Sequence, residues 1–225
     1  MVEITARIMH HISRPRPEAL LKALRPFAPV LSTDAVGRGA WWNARTCWLS
    51  GLESEASHIL VVHDDAIACP GFAAAAQAAI EARPNAIVSF YAQRPEMLIA
   101  CERGNPWVTF DIFAWGLGLC MPAAWAREFV EWRDRCIDPS RRHDDMSVLL
   151  WTLETGRVIH CTAPSLLDQD ERCKAVTDGK SNEGNTATWF ASDGADNINW
   201  LGHGLHVSGD RVNFLASRRH HFIHY

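Results

Sequence analysis

The chain of 225 residues has no apolar run approaching the ~18 residues that a membrane span requires. Its first segment, MVEITARIMHHISRPRP, carries neither an apolar core nor a small-residue cleavage site. No signal peptide and no membrane span are therefore expected, and a cytoplasmic setting follows from that reading. No CxxC pair occurs among the seven cysteines, and their number is odd. They are expected as reduced, mostly buried thiols, which excludes a disulfide framework and a cysteine-based zinc site. Basic excess is also missing: the formal net charge is −4. That removes a global electrostatic footprint for nucleic acid and leaves only a local patch open. There is no Walker loop, no GxGxxG fingerprint and no GxSxG elbow. Nor is there a repeat of solenoid length.

What is present is an ordinary globular composition, 48% apolar and 21% charged, long enough to bury a core without covalent staples. Ten tryptophans are many for this length. They suit core and rim packing, and a subset would also suit a sugar or base site.

The pattern reads as strands alternating with helices. VEITARIMHH alternates as a first strand. SRPRPEALLKALRPF follows as a short amphipathic helix with Pro17 early and Leu20, Leu21 and Leu24 inward. APVLSTD is a second strand ending near Asp34, and AVGRGAWWN is a glycine-punctuated loop. A helix over NARTCWLSGLESEA is expected to start at an Asn43 cap. HILVVHDD is apolar on both faces, as a central parallel strand requires. GFAAAAQAAIEARP is a helix stopped at Pro84, and NAIVSFYA is a further strand. EMLIACERGNPWVTFDIFAWGLGLCMP reads as a looped excursion with one or two strands. AAWAREFVEWRDRC and DDMSVLLWTLETG are helices, and RVIHCTAPSLLDQ is a late strand and turn. From Asp170 the chain turns polar and glycine-rich. The expectation is one α/β domain: a core over residues 1–169, and a lid or C-terminal extension over 170–225 completing it.

Chemistry concentrates in two HDD triplets, His63-Asp64-Asp65 and His143-Asp144-Asp145. Adjacent carboxylates at a buried strand end repel and lose hydration, so something must compensate. A solvated turn or a cap on the next helix would do so. A divalent cation bridging to a diphosphate would also do so. The second triplet opens a helix. One acid there suits an N-cap, and the other suits a general base. Arg141, Arg142 and His143 fit either a surface ion-pair cluster or a phosphate contact. The tail SRRHHFIHY fits a frayed end or a basic arm for phosphate or nucleic acid.

The combination resembles the GT-A fold of nucleotide-sugar glycosyltransferases. ILVVHDDAIACPGF stands where that family has an apolar strand ending in a DxD-like motif. GLGLCMPAAW and HDDMSVLLW stand for its middle strand and following acid-led helix, and Pro164-Ser165-Leu166 for its P-S-L. These markers cover about residues 3–169. The resemblance implies a mainly parallel, Rossmann-related sheet and a metal-dependent sugar transfer from a nucleotide diphosphate sugar to a hydroxyl acceptor. The acceptors it implies include a glycan or a modified DNA base, the latter as in small phage-type enzymes of this fold. It implies Mn²⁺ or Mg²⁺ on Asp65 with Asp64 beside it, and a late histidine, His203 or His206, completing the metal shell. It implies Asp145 or Asp144 as the base, and Asp34, Arg45 and Trp48 with Asp64 around the nucleotide. The family's histidine after P-S-L is absent here; Asp168 and Gln169 occupy that stretch. Two rival readings are a nucleotidyltransferase, for which AVGRGAWWN is only a faint phosphate loop, and a non-catalytic nucleotide-sugar-binding module.

Overall fold

His58–His63 is an eight-strand sheet's pivot because Ile59 and Val61 pack to one face while Leu60 and Val62 pack to the other. All four are 3% exposed or less, each contributing about 1.5–3 kcal/mol of burial. The computed structural model describes residues 1–112, 115–141, 143–173 and 183–214. Arg142 and the SRRHHFIHY tail lie outside the described residues, as does 174–182 of the expected lid.

The elements run β1 (Ile4–His11), α1 (Glu18–Ala23), a 3-10 turn (Arg25–Phe27), β2 (Val30–Asp34), α2 (Ala40–Leu52), β3 (His58–His63), β4 (Ala66–Ala68) and α3 (Phe72–Ala82). They continue with β5 (Ile87–Ser89), α4 (Glu96–Glu102), β6 (Trp107–Phe110), β7 (Gly118–Pro122) and α5 (Ala123–Cys136). The chain then forms α6 (Asp145–Thr155), β8 (Ile159–Thr162), β9 (Leu167–Gln169) and β10 (Gly204–Val207). The large sheet has the order β10-β6-β8-β5-β7-β3-β1-β2, and β4 pairs with β9 in a separate two-stranded sheet. Strands β2, β1, β3, β5 and β8 run one way; β7, β6 and β10 run the other. The result is a single-domain, mixed and mostly parallel α/β sheet, compatible with a Rossmann-like fold.

Helices cover both faces. α1 and α3 bury Leu20, Phe72, Ala76 and Ile80 against Ile8, Leu60 and Val62. On the other face α2, α4, α5 and α6 bury Trp48, Met97, Phe129 and Trp151 against Ile59, Val61 and Val108. Because β1 lies between β2 and β3, the chain leaves β1 toward one side and returns on the other. The carboxyl ends of β1 and β3 therefore flank a topological switch point, the usual ligand crevice of such sheets.

Three local expectations need correction. Residues 96–102 are helix α4, not loop: Met97 and Ala100 are buried one helical turn apart. α2 starts at Ala40 rather than at an Asn43 cap, with Gly39 in the cap position. Asn43 lies inside the helix, and its amide donates to the His10 carbonyl at 2.9 Å. The polar C-terminal stretch is not merely a lid: Gly204–Val207 pairs in parallel with β6, and the Trp107 indole donates to the Trp200 carbonyl at 2.9 Å.

α2 sits close to the sheet because Gly51 has no side chain there. A Cβ at that position would lie 2.6 Å from Cγ2 of the Ile59 side chain, which is fully buried in β3. Gly51→Ala should therefore destabilise the protein by about 1–3 kcal/mol, despite alanine's better helix propensity. Urea unfolding monitored by circular dichroism reads this directly; an unchanged or raised midpoint would contradict the packing.

Candidate functional site

The acid pair of the first triplet sits in the turn after β3 and points back under β1. Asp64 is almost sealed from water, its side chain only 4% exposed. Its Oδ2 accepts from His10 Nδ1 at 2.8 Å and from the His11 amide at 2.9 Å. Its Oδ1 pairs with Arg14 Nη1. Asp65 is as buried, and its Oδ2 faces Arg14 Nη2 at 3.2 Å and Gln169 Nε2 at 3.1 Å. Neither acid caps α3, whose cap position is Gly71 with no side-chain cap bond. One guanidinium, backed by a histidine and an amide, thus offsets two charges whose unpaired burial would cost several kcal/mol each. The carboxylates outweigh burial and hold the Arg14 guanidinium firmly protonated.

The second triplet faces the first. Asp144 occupies the cap position of α6 without a side-chain cap bond. Its Oδ2 instead meets His63 Nε2 at 3.1 Å, joining the two triplets. Burial alone would lower the His63 pKa, but Asp144, Asp65 and Asp64 outweigh it and raise it to about 9. Burial would raise Asp144, and the His63 charge prevails and lowers it. Asp145 moves the opposite way: burial and its neighbour Asp144 raise its pKa, while its Oδ1 accepts the Met146 amide at 2.6 Å. Gly116 lets the chain close over this pair, since a Cβ there would lie 3.3 Å from Asp144 Oδ2 and 3.5 Å from His63 Nε2.

Both triplets line one cavity of about 750 Å³ at the carboxyl ends of β1, β2 and β3. Of the residues expected to act together, Asp34, Asp64, Asp65, Asp144 and Asp145 all border it. Asp34 is committed to its own loop, its carboxylate taking the amides of Val36, Arg38 and Gly39 at 3.3, 3.0 and 2.9 Å. Burial would raise the Asp34 pKa, but these amides lower it.

Other expected members lie elsewhere. Trp48 is 2% exposed and packs edge-on to Phe129 in the core, so it cannot line a pocket. Arg45 turns toward α5 and pairs with Asp134 at 2.8 Å. His206 is on β10, five strand positions from β3, roughly 24 Å away. It pairs with Asp111 at 2.9 Å. His203, exposed just before β10, is at the same far edge. Neither histidine can share an ion with Asp65.

The cavity also contains Gln169 and residues that the motif reading missed: His10, His11, Arg14, Arg172 and Cys173. The run HHISRPR at the end of the first strand carried the signal for His10, His11 and Arg14. The rule that selects strand ends for Asp34 and Asp64 selects it too. Among the described residues no group of three or more His, Cys, Asp or Glu side chains is placed to hold a metal ion. Asp65 and Gln169 are two oxygen-bearing side chains at the cavity; Asp65 Oδ2 here accepts from the Gln169 amide nitrogen and meets Arg14, so an ion would require the Gln169 amide to turn its oxygen inward. Such a pair suits Mg²⁺ or Mn²⁺ completing its shell with substrate phosphate oxygens rather than a closed protein cage. The acid pair also outnumbers Arg14, so a bare diphosphate would meet net negative charge.

No protein-family model matches this chain, and comparison with curated proteins finds no match either.

Arg14 is the keystone of the arrangement. Arg14→Ala should cost on the order of 3 kcal/mol at pH 7, with Arg14→Lys recovering part of the loss. The substitution would leave two buried carboxylates without their guanidinium. The deficit should then narrow as pH falls through the carboxylate range, where they take up protons instead. Urea midpoints at pH 7 and pH 4 test this; a deficit equal at both, or none, would contradict it.

Proposed function

We propose that the protein is a glycosyltransferase that moves a sugar from a nucleotide diphosphate sugar to a hydroxyl acceptor. The observation that carries the reading is the convergence of both acid triplets, joined by His63 and Asp144, on one cavity at the sheet's switch point. The same markers that resemble the GT-A family support it: the apolar strand, its acid turn, and Ser165 and Leu166 packed beside β5's continuation, where both Leu166 and Leu167 amides donate to the Phe90 carbonyl at 2.9 Å. Gln169, in the stretch where that family carries a histidine, reaches Asp65.

In this reading the donor diphosphate lies against the β1–β3 crevice. Asp65 and Gln169 would hold Mn²⁺ or Mg²⁺ brought with it, and Asp64 would keep Arg14 and His10 in place. When bound, the cation neutralises charge that develops on the diphosphate. Asp145 takes the proton of the acceptor hydroxyl; burial and Asp144 raise its pKa and so make its carboxylate the more basic of the pair. The acceptor oxygen attacks the anomeric carbon, and the bond to the diphosphate breaks with its electron pair leaving on the nucleotide. Asp144 and His63 position Asp145 and the wall opposite the donor.

Calorimetry with UDP, GDP, CDP and dTDP sugars, in Mg²⁺, Mn²⁺ or EDTA, tests the donor half. One nucleotide class should bind with the cation, and Asp65→Ala and EDTA should each abolish that binding. Asp145→Asn should bind the donor as wild type does, yet transfer at least about 100-fold more slowly. No metal-linked nucleotide binding by the wild-type protein would overturn the proposal.

A further inference from the structure

Behind the α2 side of this cavity lies a second cleft, of about 490 Å³, where four arginines face a single lining carboxylate. Its members are Arg38, Arg45, Arg133 and Arg141, with Trp41, Trp42 and Asp134. Arg133 is only 1% exposed. Its hydrogen bonds go to uncharged oxygens: Ser147 Oγ at 3.1 Å, the Ile137 carbonyl at 3.1 Å and the Arg141 carbonyl. Its guanidinium lies 4.6 Å from the Trp41 ring centroid. Arg38, exposed at the mouth, is stacked over Trp42 at 4.4 Å. The tryptophans thus hold two guanidinium planes, while Asp134 orients a third, that of Arg45, at 2.8 Å.

We infer that this cleft binds a phosphate group carried by a small molecule. Asp134 and Asp138 act on the Arg133 charge from nearby, but no carboxylate among the described residues hydrogen-bonds it, and four guanidinium groups against one lining carboxylate leave the cleft with excess positive charge that favours an anion. Planar, pre-oriented guanidinium forks match phosphate oxygens better than a mobile ammonium would. Position assigns the molecule a part in the reaction. Gly37, Gly39, Ala40 and Asn43 line the first cavity while Arg38, Trp41 and Trp42 line the second. Likewise Arg141 belongs to the second and His143 and Asp144 to the first. Segments 37–43 and 141–144 thus form the wall between the two cavities, and the molecule inferred here reaches across it, its phosphate in the second and its hydroxyl beside Asp144 and Asp145. The phosphorylated molecule is therefore the acceptor, a statement that rests on the transferase reading; the phosphate cleft itself does not.

The test follows the arginine Nε–Hε NMR signals of the full chain during titration with inorganic phosphate, and then with glucose 6-phosphate, at ionic strength held constant with chloride. The Arg38 and Arg45 signals, assigned with Arg38→Lys and Arg45→Lys, should shift and saturate. The exposed double variant Arg38→Ala, Arg45→Ala should weaken phosphate binding at least about tenfold and leave donor calorimetry unchanged. Shifts that chloride reproduces, or affinity undiminished in the double variant, overturn the cleft. Binding of inorganic phosphate but not of the sugar phosphate overturns the acceptor assignment. Both results leave donor binding at Asp65 as a separate readout of the transferase reading.

Discussion

Everything in the crevice depends on one guanidinium. Arg14 comes from the loop after β1 and touches both carboxylates of a turn that follows β3. Two like charges with side chains 4% exposed would otherwise push that turn apart. The contact also ties together the two strands that flank the switch point, with His10 and the His11 amide repeating the tie from β1. The apolar runs of the sheet supply the energy of folding, while these polar contacts fix where the acids point.

A second constraint is the join between the triplets. His63 ends β3 and Asp144 begins α6, far apart in sequence, yet the ring and carboxylate meet at 3.1 Å. Their pairing separates the two acids of the second triplet: Asp144 is drawn into an ion pair, and Asp145, beside it, becomes the more basic carboxylate. Two identical side chains in succession are thereby set apart electrostatically, which under the proposed reading suits one to positioning and the other to accepting a proton.

Much of this was legible because it rests on periodicity and strand ends. The continuous apolar run Ile59–Val62 marks a central strand, and α/β alternation marks the crevice at its carboxyl end. Both acid pairs fall on that crevice. What could not be read depends on strand order. The histidines at 203 and 206 sit in a glycine-rich stretch of the kind that approaches ligands, but β10 joins the sheet at the edge away from β3. In α2 the spacing of Ala44, Cys47 and Trp48 marks the inward face, and all three are core; it was the family resemblance alone that put Trp48 and Arg45 at a nucleotide, and Arg45 faces α5 instead. Helix α4 was hidden by its shortness, with only two buried residues to set its period. The arginine cleft combines α2 and α5 with the loop between α5 and α6, and no local motif announces it.

The most direct test of the central claim is diffraction from crystals of the protein soaked with a nucleoside diphosphate and Mn²⁺, using the anomalous signal of manganese. The account predicts manganese beside Asp65, with the diphosphate in the β1–β3 crevice and Asp145 across the cavity. Manganese and diphosphate bound together at another place on the molecule, away from both triplets, would contradict it.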